Sequence, residues 1–282
     1  MNYRHIYHAG SFTDVFKHIV LIALIKSFLR KESPFCYLDT HAGNGYYDLF
    51  SESANKTKEY TNGIEKIIQQ KNPPPLIKEY LSYVSQLNLQ FSQSTDTHLH
   101  YYPGSPFIAR QLLRLHDRIV ACELHPAAYQ DLKAACVGDR QMHIHHIDGY
   151  LGLKSLLPPK ERRGLVLIDP PYEHPDEFMH ITQALKAAIK KWPAGTYCIW
   201  YPIKEKELVN RFHRMLKQEM DQPLQIVELN IYNDIAQHLN GSGMAILNPP
   251  WQFAESIEKI LPWLWKALSI NGQGNYTSVL EN

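Results

Sequence analysis

Short runs of apolar residues alternate along this chain with segments of helical periodicity. Runs of branched apolar residues without polar interruption are typical of strands buried on both faces, as in a parallel sheet covered by helices. The runs predict strands at 35–39, 117–123, 142–147, 165–168, 196–201, 226–232 and 243–247. The segments with helical spacing predict helices at about 13–28, 107–114, 126–136, 176–192 and 204–217.

This order of elements predicts an α/β protein with a doubly wound sheet, in which the carboxyl ends of the parallel strands share one edge. The two late strands indicate an antiparallel edge. Four acids fall where predicted strands end: Asp39, Glu123, Asp148 and Asp169. Four carboxylates at one edge suit a nucleoside-bearing cation such as S-adenosylmethionine.

Residues 50–100 interrupt the alternation with a polar stretch rich in Gln, Lys and Asn. Ile64 and Ile67 show helical spacing, three prolines follow at 73–75, and a second helical run covers 77–87. We therefore predict a helical insertion at 50–100, with 1–49 and 101–282 forming the main domain. Substrate capture and a passive cap on the sheet are equally open as roles for it.

Composition narrows the class of protein without naming a partner. The chain has 282 residues, 44% of them hydrophobic and 20% charged, with a formal net charge of +1. These values are ordinary for a soluble enzyme, and they predict no overall basic field, so any nucleic acid must be bound by local patches. Four dispersed cysteines indicate reduced thiols. Without a signal peptide or a membrane-spanning run, we expect a cytoplasmic protein.

The stretch Asp169-Pro170-Pro171-Tyr172 carries the most specific chemistry. Asp169 and the Pro170 carbonyl would accept the two hydrogens of an exocyclic amino group, and Tyr172 would stack on the ring that bears it. Asp-Pro-Pro-Tyr is the form of this motif in adenine-N6 methyltransferases. Asn248-Pro249-Pro250-Trp251 is a second candidate, but an antiparallel strand would place Asn248 at the opposite edge, so we favour Asp169.

Two other patterns are weaker. The turn at 40–45 is rich in small residues but is not a G-x-G-x-x-G fingerprint, which argues against a nicotinamide dehydrogenase. His143, His145 and His146 have no Cys or carboxylate at ligand spacing, so we predict no metal site.

Eight segments, in order, resemble the RlmJ family of 23S ribosomal RNA adenine-N6 methyltransferases. They are YRHIYHAGSFTDVFKH, YLDTHAGNGYY, YYPGSPFIARQLLR, ELHP, DG at 148–149, RRGLVLIDPPYE, GTYCIWYP and SGMAILNPPW. The resemblance implies a class I, Rossmann-like fold with a mostly parallel seven-stranded sheet, an antiparallel edge strand and a small helical insertion. It also implies methylation of adenine 2030 in protein-free 23S rRNA by a monomer that uses S-adenosylmethionine and needs no obligate protein partner.

The resemblance also assigns residues. Asp169 is implied as the catalytic residue, with Pro170 and Tyr172 beside it, and Tyr3 and Lys17 as contacts of the RNA. The residues implied to bind S-adenosylmethionine are His18, His41, Ser105, Glu123, Asp148 and Gly149. Taken alone, Lys17 and His18 would be a surface lysine and a half-buried histidine of a helix. The resemblance implies that both residues are functional.

Further RNA contacts are predicted from Arg4, Arg162, Arg163 and the helix at 204–217, although a solvated face is an equally good interpretation of that helix. Two other functions stay open from the residues. A DNA adenine-N6 methyltransferase would share the motif but usually carries a larger recognition domain than 50–100. A non-catalytic RNA-binding protein is disfavoured by the intact acids.

Overall fold

The computed structural model describes residues 4–91, 99–236 and 238–281. The strands are β1 (Cys36–Asp39), β2 (Tyr46–Asp48), β3 (Tyr101–Pro103), β4 (Arg118–Cys122), β5 (Met142–His145), β6 (Gly164–Ile168), β7 (Thr196–Ile203), β8 (Leu224–Asn230), β9 (Gly241–Leu247) and β10 (Tyr276–Glu281). The helices are α1 (Phe12–Leu29), α2 (Glu52–Thr57), α3 (Ile64–Ile68), α4 (Pro75–Phe91), α5 (Ser105–Leu112), α6 (Pro126–Ala135), α7 (Gly149–Leu156), α8 (Glu177–Lys191), α9 (Lys206–Glu219), α10 (Phe253–Glu258) and α11 (Leu261–Leu268).

The main sheet has the order β10-β8-β9-β7-β6-β1-β4-β5. Strands β5, β4, β1, β6 and β7 pair in parallel, and β9 enters antiparallel between β7 and β8. The predicted α/β class and its antiparallel edge are confirmed. The predicted count of seven strands is wrong, because eight strands of the described ranges form this sheet. The eighth, β10, pairs antiparallel with β8 at the edge and is largely exposed, so it lacks an apolar run.

Helices cover both faces of the sheet, as in a doubly wound fold. Side chains alternate across each strand: Tyr37 of β1 packs into one apolar core and Leu38 into the other. Helices α1, α5, α10 and α11 contribute to the first core, and α8 and α9 to the second. Among the described residues, no helix is both long enough and apolar enough to cross a membrane.

Helix α1 is the central helix of the first face. The Ser11 side chain caps it by accepting a hydrogen bond from the Asp14 amide. The helix is apolar all round rather than on one stripe, and residues on every side of it are buried. Lys17 and His18 are therefore buried as well, at 4% and 1% exposure, which rules out the interpretation as surface and half-buried residues.

The described part of 50–100 is helical, with α2, α3 and α4 and a 3₁₀ turn at Glu59–Asn62. Tyr80 and Val84 of α4 belong to the same apolar core as α1. Strand β2 precedes this segment and β3 follows it, and the two strands pair as a small antiparallel sheet. The apolar runs do not predict β3, which has only three residues. The division into a main domain and an insertion subdomain stays a prediction.

Candidate active site

A cleft of about 700 Å³ opens at the carboxyl ends of the parallel strands. This is the edge at which ligands bind in open α/β sheets. Six residues predicted for the site line the cleft: Lys17, His18, His41, Ser105, Glu123 and Asp169. Pro171 lines it too, whereas Pro170, Tyr172, Asp148 and Gly149 are not among its lining residues. Tyr3 lies outside the described residues.

Asp169 follows β6 directly and meets a buried cation from α1. The Lys17 Nζ lies 2.7 Å from Asp169 Oδ2 and 2.8 Å from Asp14 Oδ1. The Lys17 and Asp14 side chains are almost fully buried, and Asp169 is slightly more accessible from the cleft. Burial lowers the pKa of Lys17, but the charges of Asp14 and Asp169 outweigh that effect and hold it well above its usual value. Lys17 therefore keeps its charge at the floor of the cleft.

Asp14 joins the amino-terminal segment to this pair. Its Oδ2 accepts from the Gly10 amide at 3.1 Å and lies 2.8 Å from His5 Nε2. Burial alone would raise the pKa of Asp14, but His5 and Lys17 hold it well below its usual value. Sequence reasoning missed both His5 and Asp14. The one local signal was the spacing of three residues between Asp14 and Lys17 on a helix, which places them on one face.

Asp39, at the end of β1, is fully buried beneath the cleft. Its Oδ2 accepts from the Ser105 hydroxyl at 2.6 Å and from the Tyr37 hydroxyl at 2.8 Å, and its Oδ1 accepts from the His41 amide at 3.2 Å. Asp39 thus positions Ser105 and the start of the glycine turn. Burial raises the pKa of Asp39 to about 6, although the hydrogen bonds from Ser105 and Tyr37 oppose the shift.

The raised pKa of Asp39 gives a testable pH dependence. Because the folded protein holds this proton to a higher pH than the unfolded chain does, the protonated carboxyl stabilises the fold below about pH 4. That contribution is lost as the pH rises through about 6. We expect the unfolding free energy of Asp39→Asn to gain about 3 kcal/mol relative to wild type between about pH 4 and pH 7. Urea titrations across this range measure the difference, and a difference that does not change with pH would contradict the assignment.

Glu123, just after β4, holds the glycine turn from the other side. Its Oε2 accepts from the Gly43 amide and its Oε1 from the His125 amide, both at 2.7 Å. Gly43 has φ +64°, and a Cβ there would lie 2.1 Å from the Tyr47 hydroxyl oxygen, so only glycine fits this position. The conformation of this turn therefore depends on its glycine.

His41 and Gly149 bring the turn and the start of α7 together. The His41 ring packs edge-on against Tyr150 at 5.6 Å, and a Cβ on Gly149 would lie 2.3 Å from the Thr40 carbonyl oxygen. Loss of water around the His41 ring lowers its pKa, opposed by the charges of Asp169, Glu123 and Asp148. The carboxylates of Glu123, Asp148 and Asp169, which follow β4, β5 and β6, therefore all act on the charge of His41.

Asp148 lies beyond the end of its strand, at the N-cap of α7. Its side chain accepts from the Leu151 amide at 2.9 Å, which stabilises the first turn of the helix. The predicted strand end at 147 is wrong, since β5 ends at His145.

Comparison with known proteins places the chain in a family. A family model described as "Ribosomal RNA large subunit methyltransferase D, RlmJ" matches residues 32–280. The chain belongs to the RlmJ family. It is 39% identical to the ribosomal RNA large subunit methyltransferase J of Haemophilus influenzae and 38% identical to that of Escherichia coli. Each alignment covers 98% of this chain and 97% of the relative.

Solved structures share this fold. A crystal structure of a protein from Legionella pneumophila superposes with a TM-score of 0.85 at 36% identity, covering 97% of this chain and 98% of that one. A probable spermidine synthase from Corynebacterium glutamicum superposes at 0.50 with 9% identity, over 93% of this chain and 80% of that one, which shows the shared fold alone. The RlmJ chain thus has the class I, Rossmann-like methyltransferase fold.

Tyr172 of this RlmJ chain is held from several sides. Its backbone has φ +52°, and its hydroxyl donates to the Trp200 carbonyl at 2.6 Å. The ring packs edge-on against Trp200 at 5.6 Å and Phe178 at 5.3 Å. These contacts fix the position of the Tyr172 side chain, three residues after Asp169. Stacking of Tyr172 on a substrate ring stays a prediction.

The second motif behaves as a structural element. Strand β9 runs antiparallel to β7, so Asn248 lies at the edge opposite the cleft, as predicted. Its side-chain amide donates to the Pro193 and Gly195 carbonyls at 2.8 and 2.9 Å. These bonds tie the loop before β7 to the loop after β9.

Arg162 and Arg163 also lie away from the cleft, because they precede β6 and so stand at its opposite end. The Arg163 guanidinium donates to the Phe28 carbonyl at 3.0 Å and lies 5.6 Å from the Phe28 ring. That the two arginines contact RNA stays a prediction. Among the described residues, no group of three or more His, Cys, Asp or Glu side chains could hold a metal ion.

Proposed function

We propose that this protein transfers a methyl group from S-adenosylmethionine to the exocyclic N6 of an adenine in 23S ribosomal RNA. The resemblance points to adenine 2030. The observation that carries the proposal is the position of Asp169: a carboxylate within Asp-Pro-Pro-Tyr that lines the cleft at the end of β6. Membership of the RlmJ family supports ribosomal RNA rather than DNA as the substrate.

The residues around the cleft fit S-adenosylmethionine. A volume of about 700 Å³ lies within the usual range for a ligand of this size. The buried His18 Nε2 has no hydrogen-bond partner among the described residues, so it is available to a ligand. Glu123 offers a carboxylate for a cation or for hydroxyl groups, and the Gly43 turn allows close approach of backbone. When bound, this cofactor supplies a methyl group already activated on a sulfonium.

Catalysis then depends mainly on how the protein holds the adenine. The base must leave its stack to reach the cleft. The N6 lone pair is delocalised into the ring, which makes N6 a poor nucleophile. Hydrogen bonds from N6 to Asp169 and to the Pro170 carbonyl draw it toward tetrahedral geometry and align the lone pair with the methyl carbon. With the methyl group supplied by the bound cofactor, N6 would gain the new N–C bond and would lose its extra proton afterwards.

Lys17 contributes beside Asp169. As a buried cation 2.7 Å from Asp169 Oδ2, it fixes the orientation of that carboxylate. Arg4 also lines the cleft and is placed to contact the phosphate backbone of a bound RNA. Helix α9 could add phosphate contacts, although Arg214 is already paired with Glu207 on its surface. With a net charge of +1, RNA binding would rest on such local contacts. We propose a cytoplasmic monomer acting on protein-free RNA.

The test is methyl transfer from labelled S-adenosylmethionine to unmodified 23S rRNA and, in parallel, to duplex DNA. We expect label in RNA only, recovered as N6-methyladenosine after digestion to nucleosides. Label in DNA would move the protein to the runner-up class of DNA adenine-N6 methyltransferases. Label in neither, with the cofactor still bound, would leave a non-catalytic RNA-binding protein as the better account.

A further inference from the structure

A chain of three hydrogen-bonded side chains runs from helix α4 to the cleft. The Tyr80 hydroxyl lies 2.9 Å from the Tyr102 hydroxyl, which lies 2.8 Å from His18 Nδ1. Tyr80 and Tyr102 are fully buried, and His18 is 1% exposed. The His18 ring also stacks on the Tyr102 ring, with centroids 5.5 Å apart. Each side chain comes from a different element: α4, β3 and α1.

Burial fixes the direction of the hydrogen bonds in this chain. Within the described residues, the Tyr80 hydroxyl has one partner, Tyr102, so it must donate to Tyr102 or leave its proton unsatisfied. A buried donor without an acceptor costs about 1–3 kcal/mol. Tyr102 then accepts from Tyr80 and donates its own proton to His18 Nδ1. If the Tyr102 hydroxyl donated to Tyr80 instead, the Tyr80 hydroxyl proton would have no acceptor in the apolar core.

An imidazole that accepts at Nδ1 carries its proton on Nε2 when it is neutral. Burial lowers the pKa of His18 to about 3, so the ring is neutral at physiological pH. The Nε2 atom is buried and has no hydrogen-bond partner in the described part of the chain. Because His18 lines the cleft, its Nε2–H is the group left for a ligand.

We propose that Tyr80 and Tyr102 hold His18 as a hydrogen-bond donor for the carboxylate of the cofactor's amino-acid part. This inference rests on the proposed function, since it assumes an S-adenosyl cofactor in the cleft. Helix α4 would then be more than a passive cap, because its Tyr80 orients a residue of the cofactor site. Tyr80 and Tyr102 are positioning residues that act through His18.

The direction of the hydrogen bond identifies the group of the ligand that His18 binds. Nε2–H needs an acceptor, and the cofactor carboxylate is a strong anionic one, whereas its ammonium is a donor and would leave Nε2–H unpaired. Glu123 and Asp169 line the same cleft, and their carboxylates would repel that anion unless donors received it. The ammonium and the ribose hydroxyls suit Glu123 instead, while Asp169 holds the substrate. His18 thus favours one orientation of the amino-acid part, in which the carboxylate faces His18 and the ammonium does not.

The test compares two ligands by calorimetry: S-adenosylhomocysteine, which has the carboxylate, and methylthioadenosine, which lacks the whole amino-acid part. We expect His18→Ala, Tyr102→Phe and the double variant Y80F/Y102F to weaken S-adenosylhomocysteine binding by about three- to tenfold. Binding of methylthioadenosine should change less than twofold. Tyr83→Phe is the matched control, because its hydroxyl on the same helix bonds Glu79 and does not reach His18.

The double variant separates this role from a merely structural one. Tyr102→Phe leaves the Tyr80 proton without an acceptor and should unfold more easily, whereas Y80F/Y102F removes both hydroxyls and should be less affected. Both variants should lose affinity equally. ¹⁵N spectra of histidine-labelled protein, assigned with His18→Gln, should show a bare Nδ1 and a protonated Nε2 in wild type. They should show a mixture of the two tautomers in Y80F/Y102F.

Two outcomes would overturn the inference: a proton on Nδ1 of His18 in wild type, or equal loss of affinity for both ligands in the variants. Failure of the proposed function looks different. In that case wild type binds neither ligand, or binds S-adenosylhomocysteine without methylating RNA.

Discussion

Replacing Asp169 with alanine is expected to slow methyl transfer by roughly 10²- to 10³-fold. The carboxylate would otherwise hold the N6 hydrogens during attack, an interaction that strengthens as positive charge develops on N6. Cofactor affinity should change by less than threefold, because Asp169 faces the substrate side. Asp169→Asn should be nearly as slow, since an amide keeps the shape but loses the charge. Single-turnover rates with 23S rRNA and calorimetry with S-adenosylhomocysteine measure the two quantities separately.

The matched control for Asp169 is Asn248, which begins the other Pro-Pro motif of the chain. Asn248→Gly keeps a residue that tolerates φ +53° and removes only the bonds to the Pro193 and Gly195 carbonyls. Its transfer rate should stay within about threefold of wild type at a temperature where it is folded. A fast Asp169→Ala enzyme, or a slow but folded Asn248→Gly enzyme, would reverse our assignment of the two motifs.

The main strands could be predicted from sequence because their signal is local. Buried parallel strands are apolar on both faces, so β1, β4 and β6 stand out from their neighbours. Asp39 is the last residue of β1, and Glu123 and Asp169 directly follow β4 and β6. Strands β3 and β10 gave no such signal. Strand β3 has three residues and ends in proline, and β10 is a polar edge strand. Their pairing is decided by the partner strand rather than by their own sequence.

Lys17 shows why the site itself was harder to predict. A charged residue in a helix usually marks a solvated face, but every residue of α1 from Phe12 to Ile25 is buried, so Lys17 is buried whichever way it points. Its partner Asp169 is 152 residues away in sequence. The resemblance to the family identified Lys17 as functional. The three-residue spacing from Asp14 to Lys17 was the one local signal for its surroundings, and no local pattern indicated His5. Such contacts depend on how α1 meets the end of β6.

Asp14→Ala should be the most damaging single change outside the reaction centre. Asp14 is buried between two partners, Lys17 Nζ and His5 Nε2, each at 2.8 Å. Removing one member of a buried ion pair leaves an uncompensated charge and typically costs about 3–5 kcal/mol. We expect the unfolding free energy to fall by about that amount, measured by urea denaturation at neutral pH. Asp14→Asn should cost less, because the amide oxygen can still accept from Lys17.

The same change should also slow the reaction, because Asp14 determines where Lys17 lies. Without Asp14, the Lys17 ammonium is held by Asp169 alone and draws that carboxylate out of line with N6. We expect the transfer rate of Asp14→Ala, measured at a temperature where it is folded, to fall at least about tenfold, with cofactor affinity unchanged. Glu207→Ala removes an exposed ion pair with Arg214 on α9 and serves as the control, since such pairs contribute little to stability. A folded Asp14→Ala protein with a wild-type rate would show that Lys17 needs only Asp169 to hold its place.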